Sequence, residues 1–86
     1  NIVMATMSDH QESFHRTYDR TWDDIEEMLF QAERRMNNWV LFFHKCKQNG
    51  NKKGMREAAR NKKALEGVIK TLKWTLGEKG IDNPLN

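Results

Sequence analysis

Four sets of residues have the types that do chemistry. Glu12, His15 and Asp19 stand at spacings of three and four, so on a helix they share a face. Carboxylate and imidazole steps of this kind hold metals inside helical bundles, but such centres need two steps and further carboxylates. This chain has one, and a second copy would have to supply the other, so no metal is expected. His44 and Cys46 pair a base with a thiol nucleophile. Two residues apart, they point to different sides of a helix, and Cys46 falls in an apolar row that suits a small core residue. Gly50 and Gly54 make the nearest approach to a phosphate loop, yet Met55-Arg56 follows where Lys-Ser or Lys-Thr is needed. Asp23 and Glu27 are carboxylates on one helix with no opposing pair to hold a metal-bound substrate. No catalytic set and no cofactor is expected, and the chain is not expected to be an enzyme.

The elements that would carry these residues are marked by glycine and proline. The 86 residues bound the chain to one domain. Neither Gly nor Pro occurs in residues 1–49; Gly50 and Gly54 flank a short polar stretch, and Gly77, Gly80 and Pro84 close the chain. Two long runs joined by a Gly/Asn loop predict two helices in a hairpin. In the first run, Trp22, Ile25, Leu29, Ala32, Met36, Trp39, Phe43 and Cys46 alternate spacings of three and four, a heptad seam. Met28, Val40 and Phe42 widen it, as on a helix with more than one neighbour. In the second run the row is Met55, Ala58, Leu65, Ile69, Leu72 and Leu76, with Ala59 and Val68 beside it and Lys62 interrupting it.

The expected layout is an arm over residues 1–8, a first helix over 9–48 with a possible break near 17–21, a turn over 49–54, a second helix over 55–76 and a tail over 77–86. Two helix starts compete: Ser8 with Gln11, and Thr21 with Asp24, each with capping-box spacing. Gly77 fits a left-handed helix end, and Ile81 and Leu85 are placed to fold back on the pair. Trp22 and Trp39 read as core, and Trp74, off the row, as an aromatic anchor or a residue covered by the tail.

A helix over 9–48 is roughly 60 Å long and one over 55–76 roughly 33 Å, at ~1.5 Å per residue. The first would overhang, leaving Phe14, Tyr18 and Trp22 uncovered. A lone hairpin of this size also buries little. Both points predict an all-α antiparallel hairpin that pairs as a homodimer into a four-helix bundle, with Phe14, Tyr18, Trp22, Ile25, Leu29 and Trp74 at the partner or dimer interface. A three-helix monomer is the alternative.

Charge is polarised. Residues 1–31 hold seven acids and two bases; residues 32–75 hold twelve bases and three acids. The densest basic stretch is Lys45, Lys47, Lys52, Lys53, Arg56, Arg60, Lys62 and Lys63, against Glu57 alone. Three readings are open: a solvated surface, a site for nucleic acid, and pairing with an acidic partner or the acidic arm of another subunit. No aromatic residue interrupts this stretch, which argues against stacking on single strands, and no zinc-finger or RNA-binding motif is present. The acids Asp23, Asp24, Glu26 and Glu27 suit the start of a helix, where they oppose its dipole.

One cysteine allows no internal disulfide, and no apolar run is long enough to cross a membrane. The first residues lack the features of a secretory signal, with Met4 or Met7 as a native start after a cloning remnant. A reducing cytoplasm is the expected compartment.

The stretch Asn61-Lys62-Lys63-Ala64-Leu65-Glu66-Gly67-Val68-Ile69-Lys70-Thr71-Leu72-Lys73-Trp74-Thr75-Leu76-Gly77, with the ending Ile81-Asp82-Asn83-Pro84-Leu85, resembles small helical proteins encoded by bacteriophages. It covers about a third of the chain and carries no site residues. The resemblance implies a protein that binds one host protein in the host cytoplasm and redirects or inhibits it. The expected function is therefore a non-enzymatic interaction protein acting as a helical dimer on a host protein. The alternatives are a nucleic-acid-binding module using the basic tip and a self-assembling scaffold.

Overall fold

The computed structural model describes residues 19–86. They form two α-helices, α1 over Trp22–Asn49 and α2 over Lys52–Thr75, packed against each other, with no strand among the described residues. The all-α hairpin expected from the heptad seam is what the described residues adopt.

Helix α1 starts at the Thr21 cap. The Asp24 amide donates to Thr21 Oγ1 at 3.1 Å and the Thr21 amide donates to Asp24 Oδ2 at 3.0 Å, a reciprocal capping box. Asp23 and Asp24 lie in the first turn, where negative charge opposes the dipole. Asp19 to Thr21 are not helical. The alternative start at Ser8, and with it Glu12, Phe14, His15 and Tyr18, lies outside the described residues.

Helix α1 ends in a left-handed residue, Gly50, at φ 72°. The Asn51 amide donates to the Cys46 carbonyl at 2.8 Å and the Gly50 amide to that of Lys47 at 3.3 Å, the paired bonds of a Schellman end. Asn51 then caps α2 at once, its side chain accepting from the Gly54 amide at 2.9 Å. The connection is thus Gly50-Asn51, and the turn over 49–54 read from the sequence is too long. Its latter residues, Lys52, Lys53 and Gly54, are the first turn of α2. A glycine reads as a breaker, but Gly54 is buried and passes close to α1: a Cβ there would stand 2.5 Å from Cys46 Sγ. The helices meet at the elbow because this position has no side chain.

Helix α2 repeats the same ending. Gly77 has φ 76°, and the Glu78 and Gly77 amides donate to Lys73 and Trp74 carbonyls at 3.0 Å each. The sequence expectation for Gly77 holds. The tail turns at Gly80, which sets Ile81, half-buried, beside Met36 and Ile69. Leu85, expected to fold back as well, is 93% exposed. Its amide is taken by Asn83 Oδ1 at 2.8 Å in a local turn that points it outward.

The described helices are nearly matched in length. With 28 and 24 residues they span about 42 Å and 36 Å, so α1 projects only its first four residues past the end of α2. The long overhang inferred from a helix over 9–48 is not present in the described residues, because α1 starts at Thr21 and α2 starts earlier than expected. Trp22, read as core, lies in this projecting turn and is 67% exposed.

The core is thin. The seam residues Ile25, Leu29, Met36, Trp39 and Phe43 meet Leu65, Ile69, Leu72 and Leu76 half-buried, and the fully buried apolar side chains among the described residues are Ala32, Cys46 and Ala58. Lys62, which interrupts the second row, stays half-buried because its ammonium lies over the Phe43 ring, 5.2 Å from the centroid. Lys73 bridges the helices at 4.0 Å from Glu33. None of the helices described is long and apolar enough to cross a membrane.

Candidate interaction surfaces

Two surfaces stand out, one apolar and one basic. The apolar surface is a groove along one side of the hairpin. Ile25, Met28 and Ala32 of α1 face Leu65, Val68 and Leu72 of α2, with Met28 at its centre and Leu85 at its margin. Met28 and Val68 are exposed although they belong to apolar rows in both helices. The two helices close one seam between them, and these residues sit one step round from it. The spacing that places Ile25 and Ala32 on the seam places Met28 beside them, on the open rim of the groove and exposed to solvent.

Of the interface residues named from the sequence, Ile25 lines this groove. Leu29 is half-buried in the seam and serves the hairpin itself. Trp22 is exposed at the projecting end of α1, and Trp74 is half exposed on the outer side of α2, away from the groove. Phe14 and Tyr18 lie outside the described residues. Met28, Val68, Leu72 and Leu85 were missed as interface candidates. Met28 and Val68 carried the signal, since each widens a heptad row toward one flank. Two further apolar residues, Phe30 and Leu41, stand on the side of α1 opposite α2, 54% and 68% exposed. The Arg34 guanidinium covers part of Phe30 at 5.8 Å.

The basic surface is the turn-proximal half of the hairpin. Residues 34–63 hold ten bases and a single acid, Glu57, while residues 19–33 hold six acids and one base. Lys45 and Lys47 project from the end of α1; Lys52, Lys53, Arg56, Arg60 and Lys63 are exposed on α2. Lys62 differs from the rest of the set, being turned onto Phe43. Lys52 and Lys53 occupy the first turn of α2, which has no acid to oppose the dipole. Two ammonium groups there cost about 0.3–1 kcal/mol each at low salt, and nothing inside the hairpin offsets this.

Cys46 is a free, buried thiol, His44 is exposed, and no metal-holding cluster of His, Cys, Asp and Glu occurs among the described residues. Among the described residues, the Asp24 carboxyl is held below the usual carboxylate range, mainly by hydrogen bonds from the Thr21 backbone and hydroxyl. That shift belongs to the helix cap. Comparison with known proteins adds no relative: no family model, no curated protein and no solved structure matches the chain.

Proposed function

We propose that the chain is a non-enzymatic interaction protein that works as a homodimer, a second copy closing the groove of Ile25, Met28, Ala32, Leu65, Val68 and Leu72. In keeping with its resemblance to small phage-encoded helical proteins, its target is a host protein that it binds and modulates. One observation carries this reading: the only buried apolar side chains of the described hairpin are Ala32, Cys46 and Ala58, while Met28 and Val68 lie uncovered beside one another. Each large apolar side chain moved from water into a dimer core contributes about 1.5–3 kcal/mol, so two copies of this groove supply what the single hairpin lacks. Two-fold pairing of hairpins also yields the four-helix bundle.

Sedimentation velocity tests the dimer. A species of twice the chain mass is expected, converted to the chain mass by Met28→Glu with Val68→Glu while helical circular dichroism persists. A single species at the chain mass at tens of micromolar refutes it. A pull-down from bacterial lysate, with and without nuclease, tests the target: a stoichiometric protein band that survives nuclease is expected, and its absence removes the host-protein reading.

A further inference from the structure

The outer side of α2, turned away from α1, carries a row that the seam does not use. Lys52, Arg56, Arg60, Lys63, Gly67, Lys70 and Trp74 follow one another at spacings of four, four, three, four, three and four. That is the same heptad rhythm as the core, displaced to the solvent side. All are exposed except Lys70, which is half-buried. No acid falls on the row, and none of its five bases makes an ion pair among the described residues. From Lys52 to Lys70 it runs about 27 Å, beginning at the positive end of the helix dipole.

Gly67 interrupts the row in the middle of a 24-residue helix. A mid-helix glycine costs about 1 kcal/mol relative to alanine. At Gly54 the packing against Cys46 explains the glycine. At Gly67 a Cβ would meet no atom within 4 Å, so nothing inside the hairpin explains it. A bare backbone flanked by Arg60, Lys63 and Lys70 fits a surface that comes close from outside.

We propose that this face binds double-stranded nucleic acid through its phosphates, independently of base sequence. The chemistry of the row selects that occupant. A protein partner would need apolar or aromatic anchors within the patch, and between Lys52 and Lys70 the row has none. A single strand would need aromatic rings for stacking, and Trp74 at the far end is the only one. A regular series of cations on a straight helix matches a regular series of phosphates flanking a groove about 12 Å wide, and the row has no Asn, Gln, Asp or Glu to read adenine or cytosine edges. Lys52, Arg56, Arg60 and Lys63 lie clear of the groove assigned to the second copy, while Gly67 and Lys70 border it beside Val68 and Leu72, so the first four bases stay accessible whether or not the chain dimerises.

Fluorescence anisotropy with a labelled 25-base-pair DNA duplex of arbitrary sequence tests it. Five phosphate contacts give a slope of log K against log salt of about −4.5, a loss of roughly 500-fold between 50 and 200 mM salt. Arg56→Gln, Arg60→Gln and Lys63→Gln together reduce the slope to about −1.8 and the loss to roughly 12-fold. A charge-matched control, Arg34→Gln, Arg35→Gln and Lys47→Gln, retains most of the slope. Gly67→Ala raises the melting temperature yet weakens duplex binding when compared with the parent at a concentration where sedimentation shows both in the same oligomeric state. The proposal is overturned by any of three results: no duplex binding at 50 mM salt, equal effects of the two triple variants, or binding to polyglutamate-competed single strands as tight as to duplex. Duplex affinity unchanged in Gly67→Ala overturns the close approach at that residue.

Discussion

Gly54→Ala places one methyl group at the elbow of the hairpin, and its cost follows from three distances. The new Cβ would stand 2.5 Å from Cys46 Sγ, 2.7 Å from Asn51 Nδ2 and 3.1 Å from Asn51 Cγ. The sulfur has one side-chain torsion to move about, in a buried site on a helix where one of the three rotamers is already disfavoured. The Asn51 amide can move only by giving up the 2.9 Å bond by which it caps α2. Overpacking of this kind costs about 1–3 kcal/mol and a weakened cap about 1, against a gain of about 1 from replacing glycine in a helix. The net is a loss of about 2 kcal/mol, which lowers the melting temperature by roughly 8–16 °C in a domain of this size. Gly67→Ala, the same chemical change in the same helix, meets open space and raises it by roughly 4–8 °C. Thermal unfolding by circular dichroism at one protein concentration reads both. Adding Cys46→Ala to Gly54→Ala should restore at least about 1 kcal/mol as a coupling between neighbours. A melting temperature for Gly54→Ala equal to or above that of the parent would refute the close approach of the two helices at the elbow.

Thr21→Ala removes the hydroxyl that receives the Asp24 amide and should cost about 1 kcal/mol, a fall of roughly 4–8 °C in the same melting experiment. Asp24 titrates below the ordinary carboxylate range because the Thr21 backbone and hydroxyl hold its charged form. Its contribution is therefore complete above about pH 4, the unfolded-state value, and is lost as the pH falls through the lower folded-state value. The Thr21 amide resonance should report that loss in an NMR titration, and a midpoint above pH 4 would contradict the capping box. Lys62→Met keeps the apolar stem and removes the cation over Phe43, losing about 0.5–1 kcal/mol. In a Phe43→Leu background the same substitution should be neutral in denaturant unfolding.

The spacings made the hairpin legible. The run from Trp22 to Cys46 alternates three and four, and the structure seats all but Trp22 on the seam. Gly77 was legible as a helix end because it follows the last apolar residue of its row. The elbow was not, since Gly54 has the composition of a turn residue and is helical only because Cys46 occupies the space a side chain would need. That is a long-range fact with no local signature. The basic surface was found by counting charges along the chain, which groups Lys62 with its neighbours and leaves out Lys70. On the helix Lys62 turns inward over Phe43, and Lys70, half-buried as well, continues the row of Lys52, Arg56, Arg60 and Lys63 by its spacing. Burial of Trp22 failed as an inference because a seam is covered only as far as the shorter helix reaches.

The backbone dipoles of two antiparallel helices oppose each other and largely cancel. The side chains do not. Six acids to one base in residues 19–33 and ten bases to one acid in residues 34–63 give the hairpin two electrical poles along its length. The screening length is about 30 Å in 0.01 M salt and about 8 Å at physiological strength, against about 42 Å for α1. In dilute salt, then, each hairpin feels the poles of its neighbours as one field, and copies attract end against opposite end although all carry net charge of the same sign. In physiological salt the poles are independent and that attraction fades. The osmotic second virial coefficient should accordingly rise with added salt, opposite to the trend of a protein whose like charges are evenly spread.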